Sequence, residues 1–292
     1  MAIGEWFNTF CDNLRIPTEK RSSISTRYEL ITQRLNSEYR SLDSKTSYSR
    51  YVGSYGRETA IDNFSDLDMI YQLPYEVYER INKHQGNGQS ALLQEVKNHI
   101  KKTYSTTDVG GDGQVVVINF SDGISFEIVP AFINKDDSFT YPDSNNGGKW
   151  KVTNPIPEIG EISKLDKQIN GNLKSLCRMV RAWKDQNNVP IGGLLIDTLA
   201  HKFISDYQYK DKSYLYYDYM SRDFLKYLSE QNKEQAYWLA IGSSQRIDRI
   251  GLFEAKAKKS YEVSLEAIEK QEKYEATSKS KWREIYGPKF PS

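Results

Sequence analysis

The chain has only two cysteines, Cys11 and Cys177, and only three histidines among its 292 residues. That scarcity excludes a disulfide framework and leaves a Cys/His zinc site without enough neighbouring ligands. No apolar run approaches the roughly 20 residues that a membrane-spanning helix needs. The opening stretch MAIGEWFNTFCDNLRIP lacks the basic region, apolar segment and cleavage site of a secretion signal, so a cytoplasmic protein is expected. An excess of one charge is also missing: 40 basic and 39 acidic residues leave a net +1. Proteins that live on nucleic acid are usually clearly basic. The sequence contains no GxxxxGK[ST] loop, no GxGxxG after a strand and no GxSxG elbow, which removes three common catalytic frameworks. His84, His99 and His201 are scattered without metal or nucleophile spacing.

What is present fits a soluble α+β protein. Hydrophobic residues make up 38% of the chain, enough for a real core, and mean hydropathy is −0.69. The 21 tyrosines serve either as half-buried packing residues or as stacking platforms. The opening segment reads as a helix. After Pro17-Thr18, read as its cap, a second helix is predicted from Ile24, Tyr28, Ile31, Leu35 and Tyr39 at three- and four-residue spacing. Short strands are expected at Arg50–Val52 and Leu67–Tyr71, with helix over 79–102 interrupted near Gly86-Asn87-Gly88. Gln114–Phe120 and Ile124–Val129 flank the triplet Ser121-Asp122-Gly123 and predict a hairpin, entered through a turn at Gly110–Gly113. Residues 134–161, rich in Pro, Gly, Asn and Asp, read as an ordered loop or lobe boundary. Leu173, Leu176, Cys177, Val180 and Trp183 form one helical stripe, and another helix should follow Pro190–Gly193. From Glu254 to Tyr286 a single long solvated helix is expected. The expected division is a catalytic lobe over 1–160 and a helical lobe over 161–292.

The chemistry concentrates at Gly53-Ser54, followed after eleven residues by Asp66-Leu67-Asp68. In a strand, residues i and i+2 project from one face, so Asp66 and Asp68 point together and Leu67 and Met69 point away. Two adjacent carboxylates repel unless a cation lies between them. Oxygen-only ligands suit magnesium, which commonly shares its shell with substrate phosphates. A D-x-D pair alone is a weak signal; the upstream Gly-Ser strengthens it. Glycine lets the backbone approach a phosphate and serine donates a hydrogen bond to it. Glu127 alternates with Phe126 and Ile128 in Ser125–Pro130. It either completes a three-carboxylate cluster, if its strand lies beside Asp66–Asp68, or stands in water on an edge strand. Lys174, Arg178 and Arg181 fall at i, i+4 and i+7, a cationic face that either neutralises phosphates or pairs with acidic neighbours. Asn170 and Asn172 either read a base edge or cap the following helix.

The stretch GSYGRETAIDNFSDLDMIY resembles the metal-binding signature of the DNA-polymerase-β-like nucleotidyltransferases. FEIVPAF is similar to the third-carboxylate strand of oligoadenylate and cGAMP synthases, and LKSLCRMVRAWK resembles the spine-side helix of the former. IGGLLIDTLAHKF falls where the next family helix begins. Together with PDSNNGGKWKVTNP, the set is most similar to the bacterial cGAS/DncV-like enzymes, the CD-NTases of anti-phage signalling, over residues 45–205.

The resemblance implies a mixed or antiparallel sheet with helices and a helical C-terminal lobe. It implies that Asp66 and Asp68 bind two magnesium ions, with manganese as a substitute, and that Glu127 completes the ion beside the attacking hydroxyl. It further implies that Gly53, Ser54 and Lys174 hold the donor triphosphate; Lys174 otherwise reads as an exposed helix lysine. Family members often carry aspartate where this chain has Glu127. The zinc-binding insertion of the animal enzymes is missing, so control by double-stranded DNA is not expected. The activity implied is synthesis of cyclic di- or trinucleotides from nucleoside triphosphates by a monomer, reaching an effector through a diffusible product. Two other readings stay open: nucleotide addition to an RNA, small-molecule or protein acceptor, and an inactive nucleotide sensor.

Overall fold

The computed structural model describes residues 3–63 and 66–292. Met1 and Ala2 of the opening segment, which the sequence reads as helical, Phe64 and Ser65 of the signature spacing, and the Asp112 side chain lie outside that description. The chain forms two compact units. One contains residues 17–56 and 63–156, the other residues 3–16, 57–62 and 157–292. The sequence placed residues 1–160 together. In the structure helix α1 (Ile3–Asn13) and residues 57–62 cluster with the helical half instead.

The first unit is built on a seven-stranded sheet. Its elements are α2 (Thr18–Arg40), β1 (Ser49–Tyr51), the four-residue turn α3 (Gly53–Gly56), β2 (Asp66–Gln72), α4 (Tyr75–Asn82) and α5 (Gly88–Lys101). Strands β3 (Asp108–Asp112), β4 (Val115–Asn119), β5 (Ser125–Ile133), β6 (Phe139–Asp143) and β7 (Lys149–Thr153) follow. The order is β1-β2-β5-β4-β3, and β6 joins the far end of β5 and pairs with β7. Strand alternation sorts the side chains of β2 and β5. Leu67, Met69, Tyr71, Phe126 and Ile128 are fully buried in the core with Ile24, Ile31 and Leu35 of α2 and Leu92 and Val96 of α5. Each such burial stabilises by about 1.5–3 kcal/mol, which pins the register and so fixes what the opposite face presents.

Several expectations are corrected here. Gly110 and Gly111 lie within β3, opposite Val117 and Val116, and only Gly113, at φ +54°, turns the chain. Residues 134–161 are not one loop but the β6–β7 hairpin and the start of a helix, with turns at 134–138 and 144–148, while the boundary reading holds, since the units divide between Ile156 and Pro157. The helix expected over 79–102 starts earlier, at Tyr75, and is interrupted where expected: α4 ends at Asn82, and Asn87 caps α5 by accepting from the Ser90 amide at 2.9 Å. Thr18 is the first residue of α2, whose cap position is Pro17.

The second unit gathers α1 and most of α6 (Pro155–Gln168) with α7 (Asn172–Gln186), α8 (Gly193–Ser205) and α9 (Tyr217–Ser229). A small hairpin of β8 (Tyr237–Leu239) and β9 (Arg246–Asp248) precedes α10 (Glu254–Lys270) and α11 (Glu275–Tyr286). The single helix expected over 254–286 therefore breaks between Lys270 and Glu275. Folding back lets Trp282 reach the core, where its ring meets Phe7 edge-on at 4.9 Å. Among the described residues no helix is long and apolar enough to cross a membrane.

Candidate active site

The sheet register brings the expected carboxylates onto one face. β2 runs parallel to β5 with Asp66 opposite Ser125 and Asp68 opposite Glu127. Register partners project to the same side, so Asp66, Asp68 and Glu127 all leave the sheet opposite to the Leu67/Phe126 core. β5 is flanked by β2 and β4, which removes the edge-strand reading of Glu127. Its side chain is half-buried. The row beside Asp66 is polar: Ser125 donates to Asn119 Oδ1 at 2.9 Å, and Asn119 donates to Asp108 Oδ2 at 2.8 Å.

Gly53 locks onto this face from the other side. The Val52 amide donates to the Asp68 carbonyl at 3.0 Å, and the Gly56 amide closes the α3 turn on the Val52 carbonyl at 2.8 Å. Gly53 has φ +59°, and a side chain there would place its first carbon 2.6 Å from Asp68 Cγ. Both conditions demand glycine: left-handed backbone and no Cβ. Ser54 follows in the same turn.

Three carboxylates of like sign on one sheet face repel unless a cation lies among them, and a donor set made only of oxygen suits magnesium or manganese. The residue types and their placement fit such ions. The face is an array set by register and not a closed cage: among the described residues no three His, Cys, Asp or Glu side chains form a finished metal-binding group.

Lys174 lies in the helical unit, on the first turn of α7, with 9% of its surface exposed. Its ammonium pairs with Glu58 at 2.6 Å and lies 3.8 Å from Asp166. Asp166 also accepts from the Lys174 amide at 2.9 Å, placing a carboxylate at the positive end of α7. The two arginines of the same face differ. Arg178 donates to the Glu58 carbonyl at 2.8 Å. Arg181 is buried and pairs with Asp197 of α8 through both guanidinium nitrogens, at 2.6 and 2.9 Å, so the acidic-neighbour reading holds for it.

Asp197 is fully buried and also accepts from Arg57 Nε at 2.7 Å and Thr59 Oγ1 at 2.9 Å. Burial opposes its ionisation, but the Arg181 and Arg57 guanidinium groups outweigh that and hold its carboxyl down at about 2. Glu158, 3.5 Å from Arg57, is shifted the other way: burial raises its carboxyl despite the Ser243 hydroxyl and Arg57. The asparagines do not cap the helix. The Asn172 amide donates to the carbonyls of Lys210 and Lys212, and Asn170 donates to that of Asp211. The helix cap itself is Gly171. Asp166, Asp197 and Glu58 escaped sequence reasoning because their partners lie 8, 16 and 116 positions away. Only the run Arg57-Glu58-Thr59 beside the signature hinted at them.

Comparison with known proteins finds relatives in sequence and in fold. A model described as the Second Messenger Oligonucleotide or Dinucleotide Synthetase domain matches residues 1–166. A cyclic AMP-AMP-AMP synthase from an Acinetobacter species is 20% identical over 257 residues, covering 82% of this chain and 71% of its own. Among solved structures, CdnC from E. coli MS115-1 with ATP is similar at TM-score 0.72 and 13% identity, covering 99% of this chain and 98% of its own. The CD-NTase CdnG from Bradyrhizobium diazoefficiens, in complex with GTP, is similar at TM-score 0.69 and 11% identity, covering 97% and 94%. The expected fold, a polymerase-β-like α+β core with a helical C-terminal part, is the fold observed.

Proposed function

Because the chain belongs to the Second Messenger Oligonucleotide or Dinucleotide Synthetase domain family, we propose that it joins nucleoside triphosphates into cyclic di- or trinucleotides and releases pyrophosphate. The observation that carries this reading is the parallel register that sets Asp68 beside Glu127 on the face that also presents Asp66. On that face Asp66 and Asp68 would hold two divalent cations, and Glu127 would complete the one that serves the attacking hydroxyl. Bound there, magnesium, or manganese in its place, would supply charge neutralisation at the attacking hydroxyl and at the departing pyrophosphate. Gly53 lets the chain turn tightly against Asp68, and Ser54 donates to the donor triphosphate. Lys174 supplies a cation to the same triphosphate, an assignment supported by the resemblance of its helix to that of the oligoadenylate synthases. The half-buried position of Glu127 in the middle of the sheet supports giving it the role that aspartate often has in the family.

We place the enzyme in anti-phage signalling in the bacterial cytoplasm, working as a monomer without double-stranded DNA and reaching its effector through the diffusible product. The test is incubation of purified protein with all four nucleoside triphosphates and magnesium or manganese, then phosphatase digestion and mass spectrometry. A phosphatase-resistant product with the mass of two or three joined nucleotides and no free terminal phosphate is expected. Only linear or acceptor-linked label would transfer the same chemistry to another acceptor, and no pyrophosphate release would remove it.

A further inference from the structure

The segment Arg57–Asp62 lies between Ser54 and Asp66 in sequence, yet it packs within the helical unit. Its residues are fastened there one after another. Arg57 and Thr59 bind the buried Asp197, Ile61 enters the helical core, and the Glu58 carbonyl accepts from Arg178. Glu58 itself has φ +59°, the left-handed region that residues with a side chain seldom occupy. That turn directs its carboxylate to the Lys174 ammonium at 2.6 Å.

The two ion pairs along α7 differ in what it takes to break them. Arg181 and Asp197 are 9% and 0% exposed, so separating them strands a buried charge. Lys174 is 11% exposed, but Glu58 is 72% exposed, so water takes up the released carboxylate at little cost. Asp166 stays behind at 3.8 Å, committed to the first turn of the helix. An ammonium with one fixed and one releasable carboxylate neighbour is arranged to exchange the second for another anion rich in oxygen acceptors.

We propose that Glu58 is a positioning residue for Lys174, presetting its ammonium and yielding it to the triphosphate of the donor nucleotide. This rests on the assignment of Lys174 to that triphosphate. Glu58 then acts as an internal competitor that weakens nucleotide binding. Glu58→Gln keeps an acceptor at the same place and removes the competing charge.

The test is a double-mutant cycle read by calorimetric binding of a methylene-bridged ATP analogue with magnesium, so that turnover does not interfere. In the wild-type background Glu58→Gln should tighten binding by about two- to fivefold, the range of an exposed ion pair. In a Lys174→Gln background the same change should have no effect. Glu58→Ala serves as the second variant, and a thermal melt of each confirms folding. Equal or weaker binding by the folded Glu58→Gln protein, or the same gain without Lys174, overturns the proposal while leaving the nucleotidyltransferase reading in place. A wild-type protein that does not bind the analogue at all overturns both.

Discussion

Gly53 and Asp68 are so close that a methyl group on the glycine would overlap the aspartate carboxylate. The contact joins the two halves of the Gly-Ser…Asp-x-Asp signature, which are separated in sequence by a segment that belongs to the other unit. It turns a motif into a steric requirement. Gly53→Ala must push Asp68 aside and also hold alanine at a φ of +59°. The backbone cost is about 1–2 kcal/mol, whereas displacing a catalytic carboxylate by about 1 Å costs about 100-fold in rate. Pyrophosphate release should fall by at least about that factor while the protein remains folded by circular dichroism.

The carboxylate face makes an unusual prediction for stability. Asp66→Asn and Asp68→Asn should abolish cyclic product while the protein stays folded. Magnesium should raise the wild-type melting temperature and leave the double variant unchanged, since only a site that binds can stabilise. Calorimetry with and without a chelator reads both effects. A wild-type protein indifferent to magnesium contradicts the metal assignment.

Asp197 should behave in the opposite way. Asp197→Asn leaves Arg57 and Arg181 buried without their shared counter-charge, at a cost of about 3–5 kcal/mol. A urea titration should show the unfolding free energy lowered by that amount, with a lower midpoint and an unchanged slope.

The pH dependence follows from the same group. Its folded carboxyl, near 2, lies below its ordinary value of 3.8, so its contribution is fully present above about 4 and disappears as pH falls towards 2. Acid titration of the wild type should lose this part of its stability over that window. Asp197→Asn, already less stable, should show a shallower acid limb.

Both cysteines should be silent towards thiol reagents until the protein unfolds. Burial pushes the Cys11 thiol up to about 12 and that of Cys177 well above its ordinary value. Labelling in native buffer should be negligible and should reach two equivalents in denaturant, matching the two free cysteines.

The sheet face was legible because its signal is local. Alternation in Asp66–Tyr71 and Phe126–Val129 names the inward residues, and the outward carboxylates follow by parity. The neighbouring placement of β2 and β5 was only a condition in the sequence and is a fact of the register. The cationic helix was half legible: spacing put Lys174, Arg178 and Arg181 on one face, but their partners, the Glu58 carboxylate, the Glu58 carbonyl and the Asp197 carboxylate, are linked to them by no local pattern. The β6–β7 hairpin was hidden by a glycine- and asparagine-rich turn whose composition overwhelmed two five-residue strands. The break after Lys270 was hidden because Gln271–Tyr274 carries neither proline nor glycine, so nothing local announces it.

The aromatic stack that seats α1 has a consequence for how the molecule is made. Phe7 packs against Trp282 and Phe290, residues that leave the ribosome more than 270 positions later. Throughout most of synthesis Trp6, Phe7 and Phe10 are an oily helix with no lid, while everything the sheet needs has already emerged by residue 156. A nascent chain of this protein therefore passes through a long phase with a finished sheet and an uncovered first helix, and a chain cut before Trp282 would leave Phe7 without the ring that covers it.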